Sequence, residues 1–161
     1  MAHRLLIILL TLCLVACEQS AATREHVRIG SDDWSLELAV GDAAIQRGMM
    51  GRETIPKGTG MLFVFSEPVI HQFWMANCLI DIDVIFLDGQ GRVTTMYRMV
   101  TEPPRRAEES QLQYEQRLPL YSSRVPVRFA IELPAGSIDA IGLRAGDAVP
   151  IAIDRLKSLS R

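Results

Sequence analysis

The chain changes its hydrophobic rhythm several times, and each change marks an element. From Val27 the stretch VRIG, a turn at Ser31-Asp32-Asp33 and WSLELAV follow one another, with Trp34, Leu36, Leu38 and Val40 alternating with polar residues. Period-two alternation of this kind predicts a half-buried strand pair. Asp42 precedes AAIQRGMMG, where Ala44, Ile45 and Met49 fall at helical spacing, which predicts a short helix capped by Asp42 and closed by Gly51. RETIPKGTG is loop by its Pro and Gly content, and MLFVF is a continuous apolar run, the mark of a strand covered on both faces. HQFWMA and IDVIFLD predict two more strands with a bend at Asn77-Cys78, and Asp88-Gly89-Gln90-Gly91 predicts a hairpin turn into RVTTMYRMV.

Residues 101 to 124 interrupt the pattern with two prolines, a charged run and no apolar period, the signature of a functional or disordered loop. VRFAIELP alternates as a strand, AGSIDAIGL predicts one or two helical turns, and AGDAVPIAI a turn and a final strand. Seven to eight strands with two short helices predict a mostly β (α+β) fold, a small single-domain barrel or sandwich-like arrangement rather than a βαβ sheet.

The N-terminal end carries a different signal. One arginine, Arg4, precedes an apolar run from Leu5 to Val15. At roughly 11 residues the run is too short to span a membrane and is expected to be a signal-peptide core. Leu14-Val15-Ala16-Cys17 resembles a bacterial lipobox, which implies removal of residues 1–16 and lipidation of Cys17. Residues 17–26 then read as lipidated cysteine and tether, 27–155 as one β-rich domain, and 156–161 as a tail. Glu18 after the cysteine favours the periplasmic face of the outer membrane over inner-membrane retention. The expected partners are the membrane, through that lipid, and a small molecule or an envelope protein.

Composition removes several chemistries. The net charge is −2 and no basic stripe is present, so nucleic acid is not an expected partner. Of three cysteines, Cys13 lies in the signal and Cys17 in the lipobox, which leaves Cys78 alone and no internal disulfide. A nucleophilic Cys78 would need a base such as His71 or His26, but seven residues of strand place Cys78 and His71 on opposite faces unless the bend at Asn77 intervenes. Asp81 and Asp83 share one strand face and would suit Ca²⁺ or paired acid-base work, against the plainer expectation of a hydrogen-bonded face. Met49, Met50, Met61, Met75, Met96 and Met99 are soft ligands, but without a Met-x-x-Met repeat core packing is the expectation. No zinc spacing, phosphate loop or serine elbow is present, and neither a cofactor nor a metal is predicted.

Three ordered segments, GMMGRETIPKGTGMLFVF, FWMANCLIDIDVIFLDGQGRV and RFAIELPAGSIDAIGLRAGDAV, resemble the family called domain of unknown function 192 over roughly residues 36 to 152. The family pattern falls on Gly48 to Arg52, Gly60 to Phe63, Phe73 to Cys78, Asp83, Ile131, Glu132, Ala135, Gly136 and Gly146-Asp147. The chain departs from it at Ala76, where the family has Lys, at Cys78, where it has Thr, and at Asp81. The segment 101 to 120 is also longer than is usual there. The resemblance implies a small, often exported, mostly β domain without an established activity.

Arg52, Trp74, Asn77, Asp83 and Glu132 are the polar or amphipathic matches inside apolar motifs, and they are the candidate ligand-binding residues. Buried, each must be hydrogen-bonded or line a pocket. Arg52 is expected to pair with Asp83 or Glu132, Asn77 to occupy left-handed backbone, and Trp74 to offer a stacking face to a ligand such as a sugar. Two functions stay open: a non-catalytic binding domain using the Arg52, Trp74, Asn77 surface, with no catalytic residue, or an envelope enzyme using Asp83 and Glu132, or Cys78.

Overall fold

The computed structural model describes residues 23–160. Among these residues eight strands are present: β1 (Arg24–Ile29), β2 (Asp32–Val40), β3 (Thr59–Val69), β4 (Gln72–Phe73), β5 (Ile82–Leu87), β6 (Val93–Met99), β7 (Tyr121–Ser122) and β8 (Val127–Pro134). Four short helices accompany them: α1 (Asp42–Arg47), α2 (Gln111–Gln116), α3 (Ser137–Ile141) and α4 (Ile153–Leu159). Six strands form one sheet in the order β1-β2-β3-β8-β5-β6, and β4 pairs with β7 as a separate ribbon. The sheet is open, so the sandwich-like alternative holds and the barrel does not: β1 and β6 are edges that never meet.

The two faces of the sheet carry two cores. Leu36, Leu62, Val64, Ile85, Phe129, Ile131 and Leu133 point to one, where Leu156 of α4 and Ile138 and Ile141 of α3 cover them. Met61, Phe63, Phe65, Val84, Phe86 and Ala130 point to the other, beneath α1 and the β4-β7 ribbon. Burial on both faces explains the continuous apolar run of β3, and it extends to β5 and to β8, whose sequence reads as alternating. The predicted β5-β6 hairpin is present, with Asp88 Oδ1 accepting from the amides of Gln90 (2.8 Å) and Arg92 (2.9 Å).

Several expectations are corrected. β2 and β3 run parallel, with α1 in the connection, so one βαβ unit does occur inside an otherwise antiparallel sheet. Gly41, not Asp42, occupies the N-cap of α1, and the helix stops at Gly48 rather than Gly51. Gly48 adopts φ 47°, ψ −133°, backbone that a side chain disfavours and a helix cannot continue through. HQFWMA contributes only two strand residues before the chain turns. The C-terminal strand is absent: Ala148 makes one bridge to Arg92, and Pro150 has no amide to extend a ladder. Residues 153–159 instead form α4, so the expected tail is largely helix, anchored by fully buried Leu156.

The expected tether also shortens. Arg24, Glu25 and His26 belong to β1, and Glu25 is buried against Arg155 and the Ala152 amide. The signal segment and Cys17 lie outside the described residues. No helix among the described residues is long and apolar enough to cross a membrane.

The long segment 101–124 is not featureless. Ser110 and Gln113 form a reciprocal capping box at the start of α2. Tyr114 and Leu118, one helical turn apart, bury themselves against Ala76, Met50 and Trp74.

Candidate functional site

Glu132 sits in mid-sheet on β8, opposite Met61 of β3 and Val84 of β5. Alternation along β8 turns its side chain to the α1 face, and only 5% of the residue is exposed. A carboxylate there loses its hydration, and burial pushes the Glu132 carboxyl up to about 8, although the Arg52 charge and the Met49 amide pull the other way. Its Oε2 atom has no hydrogen-bond partner among the described residues. The side chain lines a cleft of about 190 Å³ whose walls include Met49, Phe63, Phe73, Trp74 and Cys78.

Three segments build the cleft. The first is α1 with its abrupt stop at Gly48. A methyl group on Gly48 would stand 3.3 Å from the Phe63 ring and 3.5 Å from Glu132 Oε2, so glycine both permits the turn and keeps the wall open. The second is the turn after β4. Asn77 takes left-handed backbone (φ 54°), as the sequence predicts; its carbonyl accepts from the Gly51 amide (2.9 Å), and its amide donates to Tyr114 Oη (3.0 Å). Asn77 thus ties the glycine loop to α2 while its side chain stays exposed. The third is β3, which supplies Phe63 and Phe65, the latter stacked on the His71 ring at 3.5 Å.

The five predicted residues do not form one site. Trp74 and Glu132 share the cleft. Arg52 does not pair with Asp83 or Glu132; it binds Glu37 through two hydrogen bonds of 3.0 and 2.6 Å, beside a neighbouring depression. Asp83 is fully buried on the opposite face of the sheet, where it accepts from Arg98 Nε (3.2 Å) and the Ile138 amide (2.9 Å) and docks α3. Asp83 and Glu132 stand in adjacent strands but one register step apart, so pleat alternation sends them to opposite faces and they cannot share acid and base roles. Asp81 accepts from the amide and hydroxyl of Thr101. The two aspartates are therefore occupied by protein donors, and no cluster of three or more His, Cys, Asp or Glu side chains among the described residues could hold a metal.

Cys78 and His71 do reach the same cleft, because the turn at Asn77 breaks the strand. Burial, aided by the Glu132 charge, pushes the Cys78 thiol up to about 11, the reverse of what a nucleophile needs. Burial lowers the His71 pKa. The residues missed by sequence reasoning are Tyr114 of α2 and Leu118 just after it, which support the Trp74 wall. Ala76, where the resembled family has Lys, is 3% exposed beneath them, so the departure at 76 accompanies the long 101–120 segment that covers it.

Two solved structures are similar over most of the chain. One is a proposed transcription regulator from Sinorhizobium meliloti, 27% identical, with a TM-score of 0.64, covering 80% of this chain and 92% of its own. The other is a protein of unknown function from Novosphingobium aromaticivorans, 24% identical, with a TM-score of 0.63, covering 78% and 82% respectively, a likeness of fold. No curated protein matches. The model of one family, DUF192, described as an uncharacterized ACR, matches residues 25–151, and the chain belongs to that family.

Proposed function

We propose that this chain is a non-catalytic binding domain of the cell envelope, held at the periplasmic face of the outer membrane by a lipid on Cys17, and that it takes a small molecule into the cleft under Trp74. The observation that carries the reading is Glu132 Oε2, a buried polar atom without a partner on the wall of a cleft lined mostly by apolar and aromatic side chains. Leaving such an atom unsatisfied costs about 1–3 kcal/mol, a cost that a ligand donor would offset. The address rests on the lipobox-like Leu14 to Cys17 and on Glu18. The net charge of −2 speaks against nucleic acid as the ligand, whatever the regulator-like relative binds.

Catalysis has little support in this geometry. The thiol is held protonated, and the Asp83 and Glu132 carboxyls lie on opposite faces of the sheet. A thermal-shift screen of the full chain against sugars, metals and cell-wall fragments tests the reading, because a native-state ligand raises the midpoint by an amount that grows with the logarithm of its concentration over its Kd. At least one compound should shift the wild type and shift Trp74→Ala much less. Failure of every compound would favour an envelope protein as partner, and turnover abolished by Cys78→Ser or Asp83→Asn would overturn the non-catalytic reading.

A further inference from the structure

We propose that the group bound in the cleft is a primary ammonium on an alkyl chain, such as the end of a diamine or of a lysine-like side chain, with Glu132 as its counter-ion. The inference rests on the cleft being a ligand site and specifies what enters it.

A buried carboxyl in a protein is ordinarily paired with a cation, and here the nearest one is committed elsewhere. Arg52 is close enough for its charge to act on Glu132, but its two Nη atoms bind Glu37. A second unpartnered buried atom, His71 Nε2, lines the same cleft, while the other ring nitrogen faces the Glu67 carbonyl. That arrangement leaves Nε2 with a free lone pair. Once Glu132 is ionised, its Oε2 and His71 Nε2 are two buried acceptors without a donor, which calls for a group with several N–H bonds, and an ammonium carries three. Phe63, Phe65, Phe73 and Trp74 supply aromatic surface, which attracts a cation and accepts an alkyl chain equally well.

Size narrows the class. A cleft of about 190 Å³ is below the ~300–1,000 Å³ of sites that enclose a drug-sized ligand, so it suits the end of a chain better than a whole sugar ring. A metal would need a denser donor set than the described residues contain.

The groups facing Glu132 are few. β3 and β5 present Met61 and Val84, the segment after α1 presents Arg52, and the cleft wall adds Arg47, His71 and Cys78. Arg47 is exposed on the rim, where water screens its charge. The carboxyl that must ionise to receive the ammonium is therefore the group whose proton is displaced.

Calorimetric titration of the full chain with n-butylammonium, n-butanol and butyrate, each in two buffers of different ionisation enthalpy, reads this directly. n-Butylammonium should bind with release of close to one proton per site at pH 6.5 and almost none at pH 9.5, and its affinity should rise about tenfold per pH unit until Glu132 is ionised. Glu132→Gln should abolish the proton release and weaken binding at least tenfold. Binding of n-butanol or butyrate as tightly as the amine, or amine binding without proton release, would overturn the ammonium assignment and leave a small-molecule site standing. Absence of binding by all three probes, together with a silent thermal-shift screen, would remove both.

Discussion

Replacing Glu132 by Gln should change how stability depends on pH, and the sign is opposite to that of an ordinary glutamate. Its carboxyl is held at about 8 in the folded chain against 4.5 when exposed. Between those values the native state keeps a proton that the unfolded state has lost, so the associated stability is full below pH 4.5 and declines as pH rises to about 8. The whole effect has a ceiling of about 5 kcal/mol, at 1.36 kcal/mol for each unit of pKa difference. Other groups define where it can be seen alone. Asp33, Glu37 and Glu109 are held low by Arg28, Arg52 and Arg117, so their contributions are complete once pH exceeds the ordinary carboxylate range. Lowered by burial, His71 adds stability as pH rises, but only up to 6.5, and Cys78 begins to lose it above 9.

From pH 6.5 to 8.5 the Glu132 contribution should fall by about 2 kcal/mol. Urea denaturation at the two pH values would show it as a midpoint lower by about 1 M, given slopes of ~1–3 kcal/mol per M. Glu132→Gln should keep its midpoint across the same range and exceed the wild type at pH 8.5. A wild-type midpoint that stays level or rises, or a variant that falls in parallel, would refute the account of Glu132 as a carboxyl without a counter-ion.

The remaining expectations are local. Cys78 should react with iodoacetamide at pH 7.5 about a hundredfold more slowly than a thiol of ordinary pKa, judged by peptide mass spectrometry, and a rate like that of free glutathione would show the burial argument to be wrong. Gly48→Ala should cost roughly 1–3 kcal/mol by forcing a side chain into its positive-φ backbone, and should narrow the cleft as well; an unchanged melting temperature would contradict it. Ala76→Lys, which restores the letter of the resembled family, should destabilise this chain by about 1–3 kcal/mol because Tyr114 and Leu118 occupy the space, and a neutral result would mean that α2 does not bind there.

Local chemistry made some features legible early. Left-handed Asn77 followed from an amide side chain at a bend between apolar stretches, and the Asp88 to Gly91 hairpin from its turn residues. α2 was also within reach: Ser110 and Gln113 are three apart and Tyr114 and Leu118 four apart, but the surrounding charge and prolines obscured two apolar residues. The false final strand came from reading VPIAI as apolar periodicity without weighting Pro150, and the barrel from counting strands without knowing whether the edges close.

Sequence alone determined the alternation of strand faces, the turn positions, the family and the short list that contains Trp74 and Glu132. Tertiary structure decided which of those residues meet. Arg52 prefers Glu37, a partner on the parallel neighbour reached only through the α1 crossover, and Asp83 turns to α3 on the far face. Glu132 remains without a counter-ion because every nearby cation is engaged or solvated, a fact about distances across strands that no one-dimensional spacing encodes.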